Sequence, residues 1–519
     1  MPKPDNTANQ NLYVALRASF PSAMDAVAIE TCDTPEPLYY TWRDLELASA
    51  RIANLFESLE LPAGARIAVQ TDKCVESVML YLAVLRAGFV YLPLNTAYQK
   101  DEVAYFIGNA EPAVLVCSPR NLAWAGPLAF QAGVKNVFTL GDDRSGSLLE
   151  RAAWHADQHT PAARSADDLA AILYTSGTTG RSKGAMLTQG NLLSNARVLH
   201  AHWGWQPSDV LIHALPVFHV HGLFVALHGA LLAGAKMLWF NRFEPRATLQ
   251  RFREATVFMG VPTLYVRLLA EAGLTRQACA SMRLFVAGSA PLLPETFDAW
   301  QERTGHTIVE RYGMSETVML CSNPYHPQDG ERRAGTVGRA LPGVQVRVSD
   351  DQGHPCAADD VGGIEVRGPN VFRGYWRLPE KTAEEFSADG WFKTGDVGRI
   401  DAQGVVRIVG RSKDLIISGG YNVYPAEIEG VLNEQPGVAE SAVVGVPHPD
   451  FGEAVVAVVV AQTGAQIDAA ALIRNLKTHI ANFKVPKHVF VEPELPRNAM
   501  GKVQKNVLRE RFKALFEVT

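Results

Sequence analysis

The stretch Leu169-Ala-Ala-Ile-Leu-Tyr-Thr-Ser-Gly-Thr-Thr-Gly-Arg-Ser-Lys-Gly184 joins an apolar run to a loop crowded with glycines and hydroxyls. Leu169–Leu173 is short, unbroken and aliphatic, and reads as a buried strand. Beyond Tyr174, Gly177, Gly180 and Gly184 free the backbone for unusual angles. Thr175, Ser176, Thr178, Thr179 and Ser182 add hydroxyl donors, and Lys183 adds a positive charge. Such a loop can wrap a chain of phosphates. It is not a Walker A loop, because Lys183 is followed by Gly184 rather than by Ser or Thr. A plain polar surface turn would not concentrate so many donors.

Upstream of this loop, helix and strand patterns alternate. Thr41 precedes a run with Leu45, Ile52, Leu55, Phe56 and Leu59 at helical spacing. Strands are predicted at Arg66–Gln70, Val90–Leu94, Val114–Cys117 and Val137–Leu140, with a helix at Cys74–Ala87. The alternation predicts βαβ units and largely parallel sheets, resumed from Leu169 to Ala340 with a strand at Leu284–Ala287. From Gly343 the texture changes to short strands and Gly-rich turns (Val344–Val348, Gly363–Val366, Val405–Ile408), a smaller β unit. A boundary at Gly410–Asp414 opens a compact αβ segment that ends in a basic helix, Val503–Phe516.

The chain has 519 residues, enough for about three to four domain-sized units. A net charge of −5 argues against a nucleic-acid binder. The long apolar stretch Leu223–Phe240 contains His228 and Lys236, and reads as buried helix and strand rather than a membrane span. None of the six cysteines forms a CxxC pair or a metal-like spacing, which predicts a reduced, intracellular protein. The polar start, Met1–Asn11, has no apolar h-region, so a cytoplasmic location is expected.

Six more motifs follow the loop in order: Gly288-Ser-Ala-Pro291, Arg311-Tyr-Gly-Met-Ser-Glu-Thr317, Trp391-Phe-Lys-Thr-Gly-Asp396, Gly410-Arg-Ser-Lys-Asp414, Gly419-Gly-Tyr-Asn-Val-Tyr-Pro425 and Pro496-Arg-Asn-Ala-Met-Gly-Lys502. Together they resemble the adenylate-forming superfamily of acyl- and aryl-CoA synthetases, luciferases and peptide-synthetase adenylation domains, over nearly the whole chain. The resemblance implies an α/β multidomain fold. Residues 1–410 would hold two doubly wound αβ subdomains and a small β-barrel-like subdomain, and residues 411–519 a small mobile α+β domain hinged at Lys413. It implies an AMP-forming acid–CoA ligase that uses ATP, Mg²⁺ and coenzyme A.

The resemblance also implies roles for single residues. Thr175, Ser176, Gly177, Thr178, Thr179 and Lys183 would hold phosphates. Gly288, Ser289, Ala290, Glu310, Arg311, Tyr312, Gly313, Met314 and Ser315 would line the nucleotide, with the Tyr312 ring as a face for adenine. Glu316 and Thr175 would hold Mg²⁺. Asp396 would accept hydrogen bonds from the ribose hydroxyls, and Arg411 would make a second ribose and phosphate contact. Lys502 would neutralise charge at the junction of carboxylate and α-phosphate, acting with Glu316 and His219 as the catalytic set. After rotation of the small domain, Gly419, Gly420 and Tyr421 would line the pantetheine tunnel. From Arg474 onward ten Lys/Arg face four Glu, an excess that suits CoA phosphates. With no carrier domain before Thr519, free CoA is the expected acceptor. A monomer or weak homodimer is expected, with a lysine acetyltransferase as a partner that would silence Lys502.

The acid pocket is expected among Pro216–Gly222, Met259–Arg267, Gly288–Ala290 and Tyr312–Met319. Its lining is not wholly apolar, because it includes His219, His221, Arg267, Ser289 and Met314. A guanidinium beside a serine hydroxyl is a carboxylate receptor, which predicts a short diacid. The combination resembles malonyl-CoA synthetases, in which an arginine and a serine at the matching positions hold the second carboxylate. Methylmalonate, oxalate, a short monocarboxylate, or loading of a carrier-protein phosphopantetheine are the alternatives. Arg267 speaks against a luciferase-like aromatic pocket, although an arginine can also snorkel from a partly buried helix. One of the two histidines is expected to shape the pocket and the other to be a satisfied core residue.

Overall fold

The computed structural model describes residues 9–175, 182–418, 421–449, 451–498 and 501–516. The chain packs into two compact units, Met1–Gln345 with Val366–Phe392, and Val346–Glu365 with Lys393–Thr519.

The first unit is built on a nine-stranded and a seven-stranded sheet. In the larger, the strands Val27–Thr31, Lys236–Trp239, Val210–His213, Val257–Gly260, Leu284–Ala287 and Val309–Met314 lie side by side and parallel. Antiparallel strands close its two edges. Leu211, Ile212, Val257, Phe258, Met259, Leu284 and Val286 are fully buried. Burial on both faces is why these strands read as unbroken apolar runs. In the smaller sheet, Asn136–Thr139, Val114–Cys117, Arg66–Gln70, Val90–Pro93 and Leu169–Thr175 run parallel. The expected strands and helices of this half are present. The helix Trp42–Glu57 begins at a capping box in which Thr41 and Asp44 satisfy each other's backbone N–H groups.

Two local features depart from simple βαβ reading. Leu169–Thr175 is followed by Lys183–Thr188 running back antiparallel to it, so the next element after this strand is another strand and not a helix. The stretch His221–Leu227 is π-helical before the chain continues as the α-helix His228–Ala233. Such wide turns concentrate at functional sites.

The second unit contains a four-stranded sheet and a five-stranded sheet. In the latter, Val438–His448 and Gly452–Ala461 form a long antiparallel hairpin. Val443, Val455, Ala457 and Val459 pack with Ile428, Leu432, Leu472 and Leu476 of two helices on one face. Val444, Val446, Ala454, Val456 and Val458 pack with Leu508 and Phe512 of a third helix on the other. Alternate residues thus serve opposite cores, which explains the valine-rich run. The last helix is Lys505–Phe512, shorter than expected, because residues 513–516 form turns and Gln504 supplies no side-chain cap. Strand Phe392–Ile400 pairs with Val406–Arg411 in a register that sets Asp396 opposite Arg411. The sheet leading up to residue 410 therefore groups with the C-terminal segment, so packing divides the chain earlier than the hinge expected at Lys413.

Candidate active site

Ligands of open parallel sheets gather where the strands end at their carboxyl side. Four neighbouring strands of the large sheet end together in the first unit. Val210–His213 leads to His219 and His221, and Val257–Gly260 to the helix bearing Arg267. Leu284–Ala287 leads to Gly288, Ser289 and Ala290, and Val309–Met314 carries Arg311 to Met314 itself. Register aligns Gly260 with Ala287, and Ala287 with Glu310.

These ends make one buried polar cluster. Ser289 is held at φ +72°, a conformation few non-glycine residues adopt. Its Oγ lies 3.4 Å from His221 Nδ1 and accepts from Arg311 Nη2 at 3.4 Å. A Cβ on Gly288 would lie 2.5 Å from the Arg311 guanidinium, so any larger residue there would displace that side chain. Burial, then the neighbouring Arg311 charge, pushes the His221 imidazole well below its usual pKa, so it is neutral. Burial draws Arg311 down to about 9 and raises Glu310 to about 8. Glu310 faces inward: its Oε1 accepts the Leu292 N–H at 3.1 Å, propping the Gly288–Pro291 loop from within. His219 is half-buried and its Nδ1 accepts the His221 N–H at 3.4 Å.

The guanidinium that touches Ser289 is therefore that of Arg311. Arg267 stands on the exposed side of helix Pro262–Leu269, whose buried side is Leu264, Tyr265 and Leu268. Among the described residues Arg267 makes no hydrogen bond or ion pair. The structure does not join it to Ser289 directly; a ligand bridging the two neighbouring strand ends would have to do so.

On the phosphate side, the hairpin pairs Thr175 with Lys183. Ser176, Gly177, Thr178 and Thr179 lie outside the described residues. Lys183 Nζ is 3.0 Å from Glu385 and 4.2 Å from the centroid of the Tyr375 ring. Tyr375 donates its hydroxyl to Glu316 Oε1 at 3.0 Å, and Phe372 N–H reaches the Glu316 carbonyl at 2.8 Å. Burial and the Glu316 charge hold the Tyr375 hydroxyl protonated. Around Glu316 the backbone turns sharply. Val318 has φ +56°, and a Cβ on Gly313 would lie 1.9 Å from the Val318 carbonyl oxygen. Asn370 and Asn195 pin this turn through the carbonyls of Thr317 and Met319. Tyr312, Met314 and Ser315 are half-buried along it. Among the described residues, no group of three or more His, Cys, Asp or Glu is placed to hold a metal by itself. The oxygen of a Thr175 hydroxyl and of a Glu316 carboxylate is the donor type that Mg²⁺ takes alongside phosphate oxygens.

The second unit contributes its own constellation. Asp396 is buried and lies 3.1 Å from Arg411 Nε across the strand pair. Ser412 Oγ donates to the Gly395 carbonyl at 2.9 Å. Burial, then the Arg411 charge, lowers the Lys413 pKa. Lys502 sits on a tight turn: its N–H donates to Asn498 Oδ1 at 3.0 Å, and Asn498 N–H returns to the Lys502 carbonyl at 2.9 Å. Arg497 braces that turn through the Gly501 carbonyl and pairs with Glu440. Tyr421 stacks on Phe483 at 4.5 Å, whereas Gly419 and Gly420 lie outside the described residues.

Residues 17–376 match the family described as AMP-binding enzyme, and residues 427–502 match the AMP-binding enzyme C-terminal domain. The chain belongs to the AMP-binding enzyme family. A malonate–CoA ligase of Arabidopsis thaliana is 34% identical, over 96% of this chain and 89% of its own length. A mitochondrial malonate–CoA ligase of Bos taurus is 33% identical, over 90% and 86%. Among solved structures, ATP-bound MatB from Rhodopseudomonas palustris is 51% identical, covers 98% of this chain and 100% of its own, and superposes with a TM-score of 0.95.

Within this AMP-binding enzyme, sequence reading missed Tyr375, Glu385, Asn195 and Asn370. Each acts across a long chain separation, Tyr375 being 59 residues from Glu316. No spacing rule reaches so far, and only the fold reveals the contact.

Proposed function

We propose that this chain joins malonate to coenzyme A with MgATP, releasing AMP and pyrophosphate. Relatives of comparable identity are named for apolar acids, such as an indoleacetate–CoA ligase of Aromatoleum aromaticum at 36%, so family membership alone does not choose the acid. The observation that carries malonate is the guanidinium of Arg267, which makes no hydrogen bond or ion pair among the described residues and stands on the helix that follows strand Val257–Gly260, the neighbour of the strand leading to Ser289. A carboxylate placed between the Arg267 fork and the Ser289 hydroxyl gains charge-assisted hydrogen bonds, and a malonate is short enough to leave its other carboxylate for the nucleotide.

In the first half-reaction that second carboxylate attacks the α-phosphorus of ATP. The bond from the α-phosphorus to the bridging oxygen breaks, and pyrophosphate leaves with its electron pair. Glu316 and Thr175 would hold Mg²⁺ from the protein side, and the ion would supply charge neutralisation at the phosphates when bound. Lys183 exchanges Glu385 for phosphate oxygens, and Lys502 stabilises the charge at the reacting junction. Tyr312 stacks the adenine, Asp396 accepts the ribose hydroxyls and Arg411 adds a phosphate contact. In the second half-reaction the CoA sulfur attacks the acyl carbon, the carbon–oxygen bond to AMP breaks, and the thiol proton goes to solvent. Rotation about Lys413 exchanges Lys502 for the Gly419–Tyr421 loop between the two steps. A cytoplasmic monomer or weak homodimer fits this reading, with acetylation of Lys502 as an off-switch. Among the described residues no helix is long and apolar enough to cross a membrane.

A pyrophosphate-release screen of C2 to C6 mono- and diacids, with and without CoA, tests the reading. Malonate is expected to show the highest kcat/KM. A monocarboxylate that surpasses it would refute the diacid assignment.

A further inference from the structure

A chain of buried polar contacts leads into the turn that carries His219 and His221. Lys73 Nζ donates to the carbonyl of His213 at 2.8 Å and to that of Phe240 at 2.6 Å, and lies 4.2 Å from the Trp239 ring centroid. Both carbonyls stand where parallel strands stop, Val210–His213 and Lys236–Trp239. The His213 ring stacks on Trp239, with centroids 4.5 Å apart and planes 20° apart, and is 1% exposed. Its Nε2 meets the Gly222 carbonyl at 2.9 Å, while its Nδ1 is buried with no hydrogen-bond partner. A carbonyl can only accept, so Nε2 carries the hydrogen, and burial with the Lys73 charge pushes the ring well below its usual pKa, which keeps it neutral. Gly222 sits close against the start of the turn, where a Cβ would lie 2.0 Å from the Pro216 carbonyl oxygen. The Pro216–Gly222 turn is thus closed on itself and held at its last residue by the His213 donor. The next residue back is His221, whose Nδ1 faces Ser289.

We propose that His213 is a positioning residue for the acid pocket. Its Nε2–H holds the Gly222 carbonyl and so sets where His221 stands against Ser289 and Arg311, and Lys73 fixes His213 from the strand end. The inference rests on the reading that the Pro216–Gly222 turn and Ser289 line the acid site. It adds two residues that contact neither acid nor nucleotide in that reading and that lie 140 positions apart.

Steady-state kinetics of His213→Phe, His213→Asn and His213→Gln test it. Phenylalanine keeps the stack on Trp239 without a donor. Asparagine places its amide near the Nδ1 position, and glutamine reaches the Nε2 position. The Phe and Asn variants are expected to raise the KM for malonate about tenfold, the range for a lost buried hydrogen bond. Their KM for ATP should stay within about twofold, and Gln should recover most of the malonate KM. Malonate and ATP constants rising together, or Gln and Asn behaving alike, would overturn the proposal. Should the Phe variant fail to fold, the Gln and Asn pair carries the same test, since both lose the ring. Failure of that pair to fold would assign His213 to stability alone, which also overturns it. Wild-type protein inert toward malonate would instead refute the functional reading.

Discussion

The acid end of the first unit and the Lys502 turn of the second solve different problems. At the acid end, Arg311 is 3% exposed, His221 is 2% exposed, and Ser289 is held at positive φ between them. Ser289 Oγ meets both His221 and Arg311, and Glu310 props the following loop, inside a core built on parallel strands. The Lys502 turn is braced locally, by the Asn498 and Arg497 side chains and the Asn498 N–H, and Tyr421 of the same unit is 58% exposed. A pocket that must discriminate acids benefits from over-determined geometry. On the proposed mechanism, in which Lys502 serves only the first step, the lysine needs to be rigid only within its own turn.

The contrast predicts the largest loss where one charge acts alone. Lys502→Ala should lower adenylate formation by about 10²–10³-fold, the usual consequence of removing one charge stabiliser. Thioester formation from preformed malonyl-adenylate should change little, and pyrophosphate exchange against single-turnover thioester formation separates the two. Equal losses would mean that the Lys502 turn does not change place between steps. Next comes Arg267→Ala, expected to reduce kcat/KM for malonate roughly 10²-fold, as for loss of one partner of a charged pair, with the ATP KM unchanged. Normal malonate kinetics in that variant would shift the receptor role to Arg311 alone.

Legibility followed the same division. Elements set by local pattern were readable: the strands Arg66–Gln70, Val114–Cys117 and Leu284–Ala287 and the capped helix after Thr41 stand where hydrophobic runs and capping residues place them. Family membership was readable from motifs whose spacing is local. The hairpin at Leu169–Thr188 was not, since the direction of the second strand depends on its partners and not on its own composition. Nor was the π-helical His221–Leu227, which shares its apolar pattern with an ordinary helix. The contact between Arg311 and Ser289 was not legible, because it joins two neighbouring strand ends that lie 22 residues apart in the chain.

Two smaller effects sharpen the comparison from the buried side. Tyr375→Phe removes the hydroxyl that holds Glu316, and should raise the Mg²⁺ concentration for half-maximal rate about fivefold to tenfold. An unchanged Mg²⁺ dependence would show that the hydroxyl does not position the carboxylate. Glu310, raised to about 8 by burial, is protonated in the folded state at neutral pH and ionised in the unfolded one. Its contribution to stability is complete below the ordinary carboxylate pKa and disappears as pH rises through about 8. Glu310→Gln should therefore gain in Tm relative to wild type between pH 6 and pH 9. Parallel Tm profiles would contradict a buried neutral Glu310.

The most direct test is a product balance with malonate, MgATP and CoA. The account predicts malonyl-CoA, AMP and pyrophosphate in equal amounts, none of the thioester without ATP, and malonyl-adenylate when CoA is withheld. Formation of ADP and phosphate, or ATP cleavage without a malonyl thioester, would contradict it.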